Sequence, residues 1–214
     1  MAILSRFLAE QFARPSGWIG RHLIGPWLDR IGERMNRLTL DSLEIGPSDH
    51  VLEIGFGGGA LLAKLLERTD GDVIGVDLSL EMVERARRRF RGETRLRLVN
   101  GSVQALPLAN HSVDKACSVN NVYFWPDPAA ALSEIARVLK PGGRLSLCFE
   151  PPSELKKWPG HRFRFRLYEE AELRKMMAYA GFGHLSVSEG RGRKPDFFLC
   201  LTGDVMASPA CLKA

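Results

Sequence analysis

The sequence predicts a doubly wound α/β fold: a seven-stranded, mostly parallel sheet with an antiparallel last strand, preceded by a helical N-terminal cap. Five strand-helix units follow one another, which favours parallel strands. The two final strand patterns flank residues 190–193, a connection short enough for a hairpin. A turn with four glycines follows the first strand, where sheets of this kind bind ligands.

The individual elements follow from apolar spacing and from turn residues. The strands are predicted at 50–54, 72–76, 95–99, 113–120, 144–150, 183–188 and 196–202. The helices are predicted at 36–43, 60–68, 128–139 and 169–180, and another begins after Ser79. Ser79 and Asp127 are the expected N-caps, and Pro128 suits the first position of its helix. We assign residues 1–46 to the helical cap and residues 47–214 to the α/β domain.

The composition of the 214-residue chain, 45% hydrophobic and 26% charged, is that of a globular protein. No apolar run approaches the ~18 residues that span a bilayer, and no secretory leader is recognisable, so we expect a cytoplasmic protein. Cys117, Cys148 and Cys200 lie in apolar strand patterns without a CxxC pair, and Cys211 lies near the end. We expect reduced, buried thiols.

The net charge of +5 is concentrated in residues 156–166, where basic side chains alternate with Trp158, Phe163 and Phe165. This stretch can contact an anionic partner, or it can form a solvated strand or lid with one basic face; we expect no nucleic-acid partner. Residues 1–46 place aromatics among arginines that acidic residues nearly balance. That pattern favours a cap over the site, with weak membrane-surface contact as the alternative.

The turn from Gly55 to Gly59 lies between the first strand and a helix, and it predicts close backbone approach to a ligand. Gly55, Gly57 and Ala60 also fit the dinucleotide fingerprint, so a nicotinamide enzyme must be considered. Glu53, two residues before the first glycine, suits a ligand ammonium better than a pyrophosphate. Asp77 follows the second strand about twenty positions after the turn, where an acid binds ribose hydroxyls. Its alternative role is to cap the next helix.

Four motifs, in order, resemble the Rossmann-like (class I) S-adenosylmethionine-dependent methyltransferases of the broad type 11 family. Residues 51–59 resemble the family's first motif and residues 76–79 its second. Leu-Pro-Leu at 106–108 with Ser-Val-Asp at 112–114 resembles its "LPF…SFD" region, and residues 138–145 resemble its "LKPGG" turn. The likeness covers roughly residues 47–150. The segments on either side are the family's variable parts, which usually decide the substrate.

The resemblance implies that Glu53 and the glycine turn line the methionine and ribose side of S-adenosylmethionine. Asp77 would accept from the ribose, and Leu78 and Met82 would pack on the adenine. Ser102 stands where the family usually has an acid that accepts from the adenine amino group. This departure would affect the affinity for the cofactor and not its identity. The implied cofactor-binding residues are Glu53, Gly55, Phe56, Gly57, Gly59, Asp77, Leu78, Met82, Ser102, Val103 and Asn120.

The acceptor pocket is expected after the fourth strand, at Asn121, Tyr123, Phe124 and Trp125, although these aromatics can instead pack against the cap. Tyr123 and His22 are the candidates for a catalytic role. No carboxylate cluster of the kind used by metal-dependent catechol-type enzymes is present, so no metal site is expected. The acceptor, the methylated atom and the oligomeric state have no sequence signature.

The predicted function is therefore the transfer of a methyl group from S-adenosylmethionine to a small-molecule acceptor. One alternative within this chemistry is phospholipid head-group N-methylation at a membrane surface. Alternatives from other classes are a non-catalytic cofactor-binding module and an NAD-dependent oxidoreductase.

Overall fold

The computed structural model describes residues 32–158, 161–163, 165–192 and 195–206. Seven strands form one sheet in the order β3-β2-β1-β4-β5-β7-β6. The strands are Val51–Ile54 (β1), Val73–Asp77 (β2), Leu96–Asn100 (β3), Val113–Val119 (β4), Leu139–Phe149 (β5), Phe182–Arg191 (β6) and Phe197–Val205 (β7). β7 is antiparallel to both neighbours, and the other pairs are parallel. The predicted fold class is confirmed.

Two of the helices begin at the caps that the sequence indicates, whereas the first begins at Glu33 and not at residue 36. The helices are Glu33–Leu43 (α1), Ala60–Leu66 (α2), Leu80–Arg89 (α3), Pro128–Val138 (α4), Pro152–Leu155 (α5) and Glu170–Tyr179 (α6). The Ser79 hydroxyl accepts from the Met82 N–H, and one Asp127 oxygen accepts from the N–H groups of Ala129 and Ala130. Both predicted N-caps are therefore confirmed, whereas the short helix α5 was not predicted.

Apolar side chains alternate between the two faces of the sheet, and helices cover both faces. On one face, Leu43 of α1 packs with Leu62 of α2 and Val83 of α3. On the other face, Ile135 of α4 and Leu173 of α6 pack on the strands. The described part of the predicted cap, residues 32–46, thus contributes a core helix.

The sequence analysis placed the LKPGG turn before the fifth strand. In the structure it lies inside that strand, because β5 begins at Leu139. Leu139 already pairs with Val113, and pairing resumes where Arg144 meets Lys115, so the intervening residues form a bulge. A Cβ on Gly143 would lie 2.8 Å from the Lys140 carbonyl oxygen, which explains the glycine.

The three described cysteines are free and buried, as predicted; Cys211 lies outside the described residues. Within the described ranges, no helix is both long enough and apolar enough to cross a bilayer. Residues 1–31 of the predicted cap, for which weak membrane-surface contact was the alternative, lie outside these ranges together with His22.

Candidate functional site

The glycine turn is shaped by a close approach to the loop that follows β4. Gly55 has a φ of +73°, and a Cβ there would lie 1.8 Å from the Asn121 amide nitrogen. Only glycine therefore fits while Asn121 keeps its position. Gly57 also has a positive φ, of +50°, yet nothing lies within 4 Å of where its Cβ would stand. At Gly57 the space beside the backbone is open.

A cavity of about 110 Å³ lies beside this turn, at the carboxyl ends of β1 and β4. It is lined by Gly32, Asn36, Glu53, Gly55, Phe56, Gly57, Gly58, Ala60, Leu61, Val119, Asn120 and Asn121. The structure thus brings together Glu53, Gly55, Phe56, Gly57 and Asn120, all of which the sequence analysis assigned to the cofactor site. Asn121, assigned to the acceptor side, lines the same cavity.

Asp77 connects the end of β2 to the glycine turn. One carboxylate oxygen accepts from the Gly57 N–H at 2.9 Å, and the other accepts from the Ser79 N–H at 2.8 Å. Ser79 itself caps α3, so Asp77 is not the cap. Since a carboxylate has about four lone-pair sites, these two backbone contacts do not exhaust its capacity to accept.

The residues assigned to the adenine lie apart from the cavity lining. Leu78 is 57% exposed, whereas Met82 is fully buried in the core with Val83. The Ser102 hydroxyl accepts from the Gln104 N–H at 3.2 Å, and Val103 is buried. Their roles toward the adenine stay predictions.

Two asparagines and two aromatic side chains form a hydrogen-bonded group after β4. The Tyr123 hydroxyl donates to Asn120 Oδ1 at 3.1 Å, and Trp125 Nε1 donates to Asn121 Oδ1 at 2.6 Å. Asn120 has a φ of +52°, and its amide nitrogen donates to the Met35 sulfur at 3.1 Å. These contacts fix the orientation of both asparagine side chains at the cavity wall.

Tyr123 is only 2% exposed, and burial, with the charge of nearby Glu150, raises its pKa well above the usual value for tyrosine. The phenol therefore keeps its proton at neutral pH and acts as a hydrogen-bond donor. This state favours a positioning role for Tyr123, and its catalytic role stays a prediction.

The basic-aromatic stretch, residues 156–166, crosses the loop that follows β4. Its described part does not form the solvated strand that was one of the predicted alternatives. The Phe165 ring lies 4.8 Å from the Phe124 ring, centroid to centroid. The Arg166 N–H donates to the Tyr123 carbonyl oxygen at 3.1 Å, and its guanidinium donates to the Pro126 carbonyl oxygen at 3.0 Å. The stretch thus contacts Tyr123 and Phe124, two of the three aromatics assigned to the acceptor pocket.

Sequence reasoning missed two polar residues at this end of the sheet. Asn36 of α1 reaches the cavity from a helix whose pattern gives no hint of it. Glu150 follows β5 directly and is 4% exposed; its N–H donates to the Tyr123 hydroxyl, and its carboxylate accepts from Trp158 Nε1 at 2.9 Å. Its position one residue after an apolar strand is a usable indication, since Asp77 and Asn120 occupy similar positions.

Burial raises the pKa of Glu150 to about 7, with a contribution from the charge of Glu154, while Trp158 and Lys157 oppose the rise. Near neutral pH this carboxyl group therefore exists in both protonation states. Within the described ranges, no group of three His, Cys, Asp or Glu side chains is arranged to hold a metal ion.

Comparison with known proteins gives one family. Residues 52–147 match the family described as "Methyltransferase domain". The uncharacterised methyltransferase YdaC of Bacillus subtilis is 32% identical over 171 residues, which are 79% of this chain and 91% of YdaC. Other curated relatives are matched over about a third to a half of their own length.

Two solved structures share the fold. A chain in complex with the Trm112 methyltransferase activator of Haloferax volcanii superposes with a TM-score of 0.75 at 23% identity, covering 85% of this chain and 93% of that chain. Geranyl diphosphate C-methyltransferase of Streptomyces coelicolor superposes with a TM-score of 0.71 at 18% identity, covering 90% of this chain and 86% of that chain. At these identities the likeness concerns the fold alone. The similarity to YdaC, which spans nearly all of that protein, establishes that the chain belongs to the methyltransferase-domain family of type 11.

Proposed function

We propose that this chain binds S-adenosylmethionine beside the glycine turn and transfers its methyl group to a small-molecule acceptor. The observation that carries the proposal is the pairing of a cavity lined by Glu53 and the glycine turn with the carboxylate of Asp77, tied to that turn through the Gly57 N–H. Membership of a methyltransferase family supports the reaction type.

The residues at the cavity fit this cofactor by their chemistry. Glu53 offers a buried carboxylate to an ammonium group, and Gly57 leaves room for a ligand against the backbone. Asp77 provides a carboxylate at the end of β2, the position at which folds of this kind hold ribose hydroxyls. Leu78, exposed beside it, offers apolar surface to an adenine ring.

When bound, S-adenosylmethionine supplies a methyl group that its sulfonium already makes electrophilic. The protein's task is then mainly to align the acceptor with that methyl group, because positioning alone lowers the barrier substantially. Asn120 and Asn121 have orientations fixed by Tyr123 and Trp125, which suits them to hold reacting groups in place.

A small-molecule acceptor is supported by the aromatic residues after β4 and by the stretch that contacts two of them. Phe124 and Phe165 provide apolar surface beside Tyr123, whose hydroxyl donates to the cavity residue Asn120. The Streptomyces coelicolor structure of the same fold contains geranyl diphosphate, a small molecule.

The test begins with cofactor binding. S-adenosylhomocysteine is expected to raise the melting temperature of the protein, whereas NAD is not; the reverse result would favour the oxidoreductase. Incubation with S-adenosylmethionine labelled in its methyl group, together with pools of small-molecule acceptors, is then expected to give a labelled product. Binding of S-adenosylhomocysteine with no product from any pool would favour the non-catalytic module.

A further inference from the structure

Glu150 is a buried carboxylate, 4% exposed, that takes no part in the proposed cofactor site. It follows β5, and Tyr123 links it to the cavity wall, because the Tyr123 hydroxyl accepts from the Glu150 N–H and donates to Asn120. Two hydrogen bonds thus connect the Glu150 backbone to Asn120, a residue that lines the cavity. Its location is on the acceptor side of the site, beyond the ends of β4 and β5.

The charge of Glu150 is only partly compensated by the described part of the chain, through the indole of Trp158 and the more distant charge of Lys157. Its carboxylate accepts a hydrogen bond from the neutral indole of Trp158, and no described cation forms an ion pair with it. Lys157, the cation whose charge lowers the pKa of Glu150, donates to both carboxylate oxygens of Glu154, at 2.8 and 2.9 Å, and to Asp196 at 3.1 Å. Lys157 is thus shared between two other carboxylates.

A buried carboxylate without a cation in contact with it is unfavourable, because one hydrogen bond from a neutral indole does not replace the water that burial removes. A ligand that carries a positive charge would replace that missing interaction. Aromatic rings lie close by: Trp158 contacts the carboxylate, and Tyr123 contacts both Phe124 and Phe165. The faces of aromatic rings attract cations, and a carboxylate next to such rings is a typical arrangement for holding an ammonium group.

We propose that Glu150 is the acceptor-binding carboxylate of this methyltransferase and that it selects a protonated amine over a neutral alcohol of the same shape. The inference rests on the proposed function, because it names the class of acceptor for that site. An alcohol gives the Glu150 carboxylate a hydrogen bond from a neutral donor, whereas a protonated amine also places a cation in direct contact with it, which no described residue does.

Titrations with benzylamine and its neutral counterpart, benzyl alcohol, test this proposal. Protein saturated with S-adenosylhomocysteine is expected to bind benzylamine roughly tenfold more tightly than benzyl alcohol, or better, in isothermal titration above the Glu150 pKa of about 7. Glu150→Gln is expected to abolish this preference. Glu84→Gln, which removes the same charge from an exposed position on α3, is expected to retain it.

The pH dependence gives a second measurement. The groups that act on Glu150 are Glu154, Lys157, Tyr123 and Cys148. The amine preference of the wild-type protein should rise as the pH passes upward through about 7, because Glu150 ionises there, and it should be flat in Glu150→Gln. A thermal melt of Glu150→Gln verifies that the variant is folded.

The outcomes separate the two proposals. Failure of the wild-type protein to bind S-adenosylhomocysteine overturns the proposed function. Normal binding of S-adenosylhomocysteine, together with no benzylamine binding, no amine preference or an unchanged preference in Glu150→Gln, overturns the role of Glu150 alone.

Discussion

Replacing Gly55 by alanine tests how the glycine turn and the loop after β4 depend on each other. The new Cβ would stand 1.8 Å from the Asn121 amide, so Asn121 must move and give up its hydrogen bond with the indole of buried Trp125. A left-handed backbone costs a non-glycine residue about 1–2 kcal/mol, and an unpaired buried N–H costs about 1–3 kcal/mol. We therefore expect Gly55→Ala to lower the free energy of unfolding by about 2–5 kcal/mol.

Two comparisons isolate these contributions in urea unfolding followed by tryptophan fluorescence. Gly142→Ala carries the backbone cost alone, about 1–2 kcal/mol, because its φ is +77° and nothing lies within 4 Å of its Cβ position. Asn121→Ala removes the same hydrogen bond as Gly55→Ala, so the double variant should lose about 1–3 kcal/mol less than the two single losses combined. Strictly additive losses, or a Gly55→Ala loss no larger than that of Gly142→Ala, would refute this reasoning.

Three further outcomes are expected. Asp77→Ala should weaken S-adenosylhomocysteine binding about tenfold or more in isothermal titration, whereas exposed Asp70→Ala should not; equal affinities would contradict the ribose assignment. Gly57→Ala should lose about as much stability as Gly142→Ala, but only Gly57→Ala should lose S-adenosylhomocysteine affinity, because its methyl group enters open space at the cavity. The contribution of Glu150 to the free energy of unfolding should fall by roughly 3 kcal/mol as the pH rises from 4.5 to about 7, since Glu150 gives up its proton first in the unfolded chain; urea series in which the wild-type protein and Glu150→Gln show the same pH dependence would contradict this.

Local sequence patterns predicted the parts of the structure that depend on neighbours along the chain. Ser79 and Asp127 cap their helices because a cap needs only the next two or three residues. The antiparallel last strand followed from the short hairpin connection. Gly55 and Asp77 were recognisable because a backbone that approaches a ligand restricts the residue types in a short stretch.

Features that depend on packing between distant segments were not predictable in this way. Glu150 is defined by Tyr123, 27 residues earlier, and by Trp158, 8 residues later. The strand pairing at Leu139 was missed because Lys-Pro-Gly-Gly has the composition of a turn, and only the pairing partner Val113 shows that it is a bulge. Asn36 reaches the cavity because of where α1 packs, which its amphipathic pattern does not specify.

The position of β7 between β5 and β6 has a consequence for how the chain folds. β6 leaves the ribosome before β7 and cannot join the sheet directly, because it pairs with β7, and the position next to β5 belongs to β7. Residues 182–191 must therefore wait for residues 197–205, and the hairpin then docks onto Phe149 and its neighbours as one unit. During this interval β5 is an unprotected edge that can pair with other chains. Variants that weaken the hairpin are thus expected to affect the yield of soluble protein more than its final stability.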